Sequence, residues 1–201
     1  MDLFSSLINP TTNLLPCDGV VNYYASIIEH AVAKSYFNVL FNTIEWKHDE
    51  ANLFGKRIIT NRKVAWYGDS EYAYTYSNTT KKALMWTKEL LELKAIVEKE
   101  TSSSFNSCLL NLYHNGNEGM AYHSDDEKSL KKHAAIASLS LGAERPFLFQ
   151  HKISKKTVSV NLENGSLLLM KGETQSHWLH RLPLSKIIKQ PRINLTFRSM
   201  I

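Results

Sequence analysis

Apolar residues recur along this chain in two rhythms, one helical and one of period two, and the second takes over near residue 105. Val21, Tyr24, Ala25, Ile28 and Val32 follow helical spacing, which predicts a helix over 21–34 with Asp18 or Asn22 to cap its start. Another apolar helical segment continues through Phe41. Leu84, Leu90, Leu91, Lys94 and Val97 predict a second helix over 84–99, ended by the polar run 101–104. A short strand and turn precede the first helix at 13–19, and 53–78 reads as strands and turns, with Gly55 and Gly68-Asp69 at the turns. Further on, strands are predicted over 108–113, 134–141, 146–151, 157–162, 166–170, 177–182 and 192–198, with Asn164-Gly165 as a hairpin signal. Many short strands preceded by helices predict an α+β fold: a β-sandwich or jelly roll with N-terminal helices packed on one sheet.

Composition adds a compartment and a kind of partner. At 201 residues, 43% hydrophobic and 21% charged, the chain is expected to form one domain over 1–201 and to be monomeric. Cys17 and Cys108 have neither metal-like nor paired spacing, which suits a reducing, cytoplasmic setting. No basic leader and no apolar run of membrane-spanning length is present, so no membrane partner is expected. The net charge is +5 and the pI 9.1, with basic groups at Lys56, Arg57, Arg62 and Lys63, at Lys131 and Lys132, and at Lys152, Lys155 and Lys156. Each group alone reads as solvated surface; several flanking one candidate site favour a nucleic acid. Tyr72, Tyr74 and Tyr76 share one strand face, as either an edge ladder or a base-stacking platform.

The chemistry lies in the second half. In the strand 192–198, Ile193, Leu195 and Phe197 share one face, while Arg192, Asn194, Thr196 and Arg198 share the other. Two arginines on a strand otherwise fit for burial need anionic partners, and a small dicarboxylate gripped by a planar guanidinium would supply them. Asn111 and Tyr113 share a strand face and could contribute polar contacts to the same ligand. His123 and Asp125, two apart, leave an extended segment on the same side. One more His from a distant strand completes a two-His, one-carboxylate set suited to Fe(II). His-x-Asp alone is a weak signal; its company raises it.

That company carries a resemblance. Tyr113, the run His-Ser-Asp-Asp-Glu at 123–127, the segment 176–183 and the strand 192–198 together resemble the AlkB family. These are Fe(II)- and 2-oxoglutarate-dependent dioxygenases that dealkylate nucleic acids on a double-stranded β-helix, a jelly-roll variant. The likeness runs from about Asn13 to the C-terminus and includes Phe54-Gly55-Lys56 and Trp66-Tyr67-Gly68-Asp69. It implies that His123, Asp125 and His180 bind the iron, His177 being the rival third ligand. Arg192 would hold the far carboxylate of 2-oxoglutarate, with Asn111, Tyr113, Asn194 and Arg198 lining its site.

For the substrate, the resemblance implies a nucleotide-recognition region over 50–80. Tyr76 would sandwich an extruded base against His123, with Tyr74 and Ser77 beside it. Phe54 is either a wedge in the vacated gap or a plain core residue, and Arg57, Arg62 and Lys63 would meet the DNA backbone. Asn61 stands where relatives often have proline. Asp126 and Glu127 read either as the first turn of a helix running into Lys131-Lys132 or as contacts to a cationic methylated base. The activity implied, with O2 and 2-oxoglutarate as co-substrates, is demethylation of 1-methyladenine and 3-methylcytosine in DNA, releasing formaldehyde and succinate. Methylated RNA, a protein side chain, a non-catalytic nucleic-acid binder and a structural zinc site are the rival readings.

Overall fold

Ser166–Lys171 is apolar at every interior position, and a strand of that kind requires cover on both faces. It has both. The computed structural model describes residues 9–53, 56–76 and 79–201, with only the backbone course described over 51–53, 56–58, 73–76 and 79–81. In chain order its elements are β1 (Val20–Ser26), α1 (His30–Thr43), β2 (Lys47–Leu53), β3 (Lys56–Gly68), β4 (Ala73–Tyr76), β5 (Thr79–Lys82), β6 (Leu84–Met85), α2 (Lys88–Thr101), β7 (Ser107–Tyr113), β8 (Met120–His123), β9 (Ile136–Gly142), β10 (Arg145–His151), β11 (Thr157–Leu162), β12 (Ser166–Lys171), α3 (Thr174–His177), β13 (Trp178–Leu182) and β14 (Arg192–Arg198).

The larger sheet runs β1-β12-β9-β14-β7-β3-β2, with β6 added in parallel to β3; the smaller runs β11-β10-β13-β8, and β4 pairs with β5. Alternation along the central strands sorts side chains into two cores. Leu167 and Leu169 of β12, with Ile193, Leu195 and Phe197 of β14, meet Ala33 and Leu40 of α1 and Leu90, Leu93 and Val97 of α2. Leu168 and Met170, one residue out of step, join Val21, Tyr23, Phe149, Leu162 and Trp178 between the sheets. This is the jelly roll with helices on one sheet.

Several local expectations are corrected. The segment 21–34 is not one helix: Val20–Ser26 pairs with β12, and α1 begins at His30. Its β-branched and aromatic residues suit a strand, and Val21 and Tyr23 face the inter-sheet core while Val32 is 43% exposed. Over 13–19 the expected strand shrinks to one isolated bridge, Asn13 to Asn22, and the rest turns: the Asn13 side chain donates to Gly19 O and accepts from the Leu15 and Val21 amides. The second helix starts at Lys88, where Thr87 accepts a hydrogen bond from the Leu90 amide, and it ends at left-handed Ser102. Asn164-Gly165 is a turn but not a hairpin, because it carries the chain from β11 in the small sheet to β12 in the large one. Residues 124–132 form no helix; 124–127 lie outside regular structure and the chain then turns. That removes the first-turn reading of Asp126 and Glu127.

Candidate active site

The inner face of the large sheet is polar where β14 crosses it. Asn194 lies opposite Asn111 on β7 and Ser140 on β9, and Arg192 lies opposite Tyr113 and Gly142. Both Arg192 and Asn194 are buried, and they share a network: Arg192 Nη2 donates to Ser140 Oγ at 2.9 Å and to Asn194 Oδ1 at 2.8 Å, which also accepts from Ser138 Oγ. Asn194 in turn donates to Thr196 Oγ1 at 2.7 Å. Arg192 has no carboxylate within ion-pair distance among the described residues, and its Nε is buried without a hydrogen-bond partner. Burial lowers its pKa to about 10, so it remains a cation at neutral pH. A buried cation with an unused donor is a receptor for an anion.

The small sheet supplies the opposing wall. His180 on β13 is 4% exposed, stacks on Phe147 at 5.5 Å and lies in register with His123 at the end of β8. Asp125 follows two residues later. Its Oδ1 lies 3.7 Å from His123 Nε2 and 4.0 Å from His180 Nε2, and ligand atoms of all three groups lie within 4.8 Å of one another.

Their protonation suits a metal. His123 Nδ1 lies 2.9 Å from Ala121 O and donates to it, which leaves Nε2 as the nitrogen facing Asp125. Burial pushes His180 down to about 4, against the opposing pull of Asp125, so this imidazole is neutral near pH 7. For Asp125 burial alone would raise the pKa, but Arg198, with His180 and His123, outweighs it and holds the carboxyl below its ordinary value. Arg198 Nη2 grips Asp125 Oδ2 at 2.7 Å, leaving Oδ1 toward the histidines. Two imidazoles and one carboxylate fit Fe(II), with room left for other ligands. His177 is not among them: it ends α3, with Nε2 3.5 Å from Glu173.

Both walls enclose a cavity of about 690 Å³, bordered by the three ligands, by Asn111, Tyr113, Arg192, Asn194 and Arg198, and by Arg62 and Glu127. Asp126 is exposed and lines an adjoining depression together with Asp125, Glu127 and Arg198. The reading of Arg62 is corrected. Instead of standing free on the surface for a DNA backbone, it is 8% exposed, ion-paired to Asp49, and donates to Asn111 Oδ1 at 2.5 Å. Phe54 and Ser77, and the side chains of Tyr74 and Tyr76, lie outside the described residues.

Three supporting residues escaped sequence reading. Arg145, 1% exposed, donates to Glu118 O at 2.9 Å and Pro183 O at 2.7 Å, and Tyr113 lies between its guanidinium and that of Arg192, at 6.0 and 5.7 Å. Gln175 accepts from the Asp125 amide at 2.9 Å. Lys152 ties Ser124 to Gln175 O. Only Arg145 left a signal: a cation opening a strand whose next four residues are apolar.

Comparison with known proteins agrees with this geometry. Residues 20–198 match the 2OG-Fe(II) oxygenase superfamily. The chain is 34% identical over 206 residues to the DNA oxidative demethylase ALKBH2 of Mus musculus, covering 97% of this chain and 86% of that protein. It is 40% identical over 178 residues to the alpha-ketoglutarate-dependent dioxygenase alkB homolog 3 of Bos taurus, covering 84% of this chain and 62% of that protein. The solved structure of OsALKBH1 shares the fold, with a TM-score of 0.62 at 16% identity over 89% of this chain and 96% of that one. A jelly roll holding two histidines, a carboxylate and a buried arginine in one cavity, together with these matches, makes the chain a member of the AlkB family of Fe(II)- and 2-oxoglutarate-dependent dioxygenases.

Proposed function

We propose that this protein is an oxidative DNA demethylase acting on N-methylated bases such as 1-methyladenine and 3-methylcytosine. The observation that carries the reading is the single cavity that joins the His123-Asp125-His180 cluster, the unpartnered Nε of Arg192 and the carboxylate of Glu127. The similarity to a DNA oxidative demethylase supports the choice of substrate. Iron held by His123, Asp125 and His180, with 2-oxoglutarate and O2, supplies oxidative decarboxylation of the co-substrate and hydroxylation of an N-methyl carbon that leaves as formaldehyde.

The chain's own residues bind, orient and exclude water. Arg192 anchors the far carboxylate through its free donor, held in place by Ser140 and Asn194. Arg198 fixes the Asp125 carboxylate, so Oδ1 is presented and Oδ2 is not. Glu127 keeps a buried, unpartnered Oε2 beside the cavity. A base methylated on a ring nitrogen is cationic, so a carboxylate there favours it over the neutral normal base. Because a methyl group within a duplex cannot reach the cluster, the base must leave the stack.

The test is formaldehyde and succinate release from methylated duplex DNA, methylated single-stranded DNA, methylated RNA and an unmethylated control, with and without Fe(II). The expected result is iron-dependent formaldehyde from methylated DNA, matched by succinate. Faster turnover of RNA or of a methylated peptide would move the substrate class, and no formaldehyde from any arm would remove the demethylase reading.

A further inference from the structure

We infer that Arg62 is a positioning residue for the co-substrate: it fixes which end of the Asn111 amide faces 2-oxoglutarate. The inference rests on the family assignment for that co-substrate and not on which nucleic acid is demethylated.

Asn111 sits on the inner face of β7, directly opposite Asn194, and is 6% exposed. An amide side chain presents an acceptor at one end and a donor at the other, and the two ends can swap by a half-turn. Which way it settles depends on its neighbours. Arg62 reaches across from β3 and donates from Nη1 to Asn111 Oδ1 at 2.5 Å. A guanidinium only donates, so the end facing Arg62 must be the oxygen. Asn111 Nδ2 is therefore turned the other way. None of the described residues accepts a hydrogen bond from it, although Asn111 borders the cavity that holds Arg192 and Arg198. The amide thus offers a donor where a carboxylate or keto oxygen binds. Were it free to flip, Oδ1 would face an anion and repel it.

Arg62 is itself held. Asp49 on β2 pairs with Nη2, so the chain of contacts runs Asp49, Arg62, Asn111 across three adjacent strands. Arg62 is 8% exposed, and each terminal nitrogen has a partner inside the protein. Buried this far, it has to move toward the surface to reach a phosphate.

The experiment compares wild type, Arg62→Met and Asp49→Asn. Calorimetry measures 2-oxoglutarate affinity on the Mn(II)-loaded protein, and fluorescence anisotropy measures affinity for a short methylated DNA strand. Both variants are expected to weaken 2-oxoglutarate binding, about tenfold for Arg62→Met and less for Asp49→Asn, with DNA affinity within twofold of wild type. The decisive feature is sign. If Arg62 serves a DNA phosphate, Arg62→Met weakens DNA binding and lowers its salt dependence, while Asp49→Asn frees the guanidinium and tightens it. That outcome, or unchanged 2-oxoglutarate affinity in either variant, overturns the inference. Should Arg62→Met fold poorly, Asp49→Asn and Arg62→Lys carry the test, Lys keeping the charge but losing the fork that spans both partners. Wild-type protein that binds 2-oxoglutarate but not methylated DNA would count against the demethylase reading alone.

Discussion

The space between the two sheets has two halves, built by the same strands and filled on opposite principles. In one half Val21, Tyr23, Phe149, Leu162, Leu168 and Trp178 close a core of side chains almost all shut off from water. In the other half a cavity of about 690 Å³ is bordered by two histidines, by three arginines and by carboxylates that include Asp125 and Glu127. A single strand serves both. On β9, Ile136 belongs to the apolar core, while Ser138 and Ser140 bond to Asn194 and Arg192. On β13, Trp178 belongs to the core and His180 to the cluster. Moving two residues along an inward-facing row changes the environment from packing to chemistry. The apolar half holds the sheets together, and that rigidity lets the polar half keep the buried Arg192 without a carboxylate partner until a ligand arrives.

The comparison breaks most sharply at Asp125. Asp125→Ala is expected to reduce formaldehyde release to background, and to abolish the thermal stabilisation that Mn(II) gives wild type, about 2.7 kcal/mol at 100 times Kd. Turnover above background would refute the metal assignment. Removing this carboxylate also strands the buried Arg198, so the variant is expected to melt earlier than wild type.

Arg192→Lys comes next. It keeps the charge but not the planar fork, so KM for 2-oxoglutarate is expected to rise about 10–100-fold with a smaller change in kcat. Steady-state kinetics at saturating iron distinguish the two. The opposite half is probed by Leu162→Ala, a fully buried site away from the cavity. Chemical denaturation should show a loss of about 2–5 kcal/mol, with 2-oxoglutarate affinity in the folded protein unchanged. Equal damage to affinity would mean that the halves are coupled. The mildest change, Ser140→Ala, removes one of the two acceptors holding Arg192 Nη2 and should weaken 2-oxoglutarate about three- to tenfold.

Much of the site was legible because it obeys local rules. Period two placed Arg192, Asn194 and Arg198 on one face of a strand and Ile193, Leu195 and Phe197 on the other, and the structure keeps that division. The same rule put His123 and Asp125 on one side, and both border the cavity.

What the sequence determined by itself was therefore the class of fold, the common side of His123 and Asp125 and the two-faced character of β14, since each follows from the pattern along the chain; His180 as their partner came from the resemblance to the AlkB family. The tertiary structure decided the rest. The helical spacing of Val21, Tyr24 and Ile28 is equally open to a strand, and only pairing with β12 made it one. Arg62 looked like a surface cation because nothing near it in sequence reveals Asn111, 49 residues away, one strand over and ready to accept its hydrogen bond. Burial and partnership of a charge are properties of the neighbours that folding brings, and no single segment of chain contains them.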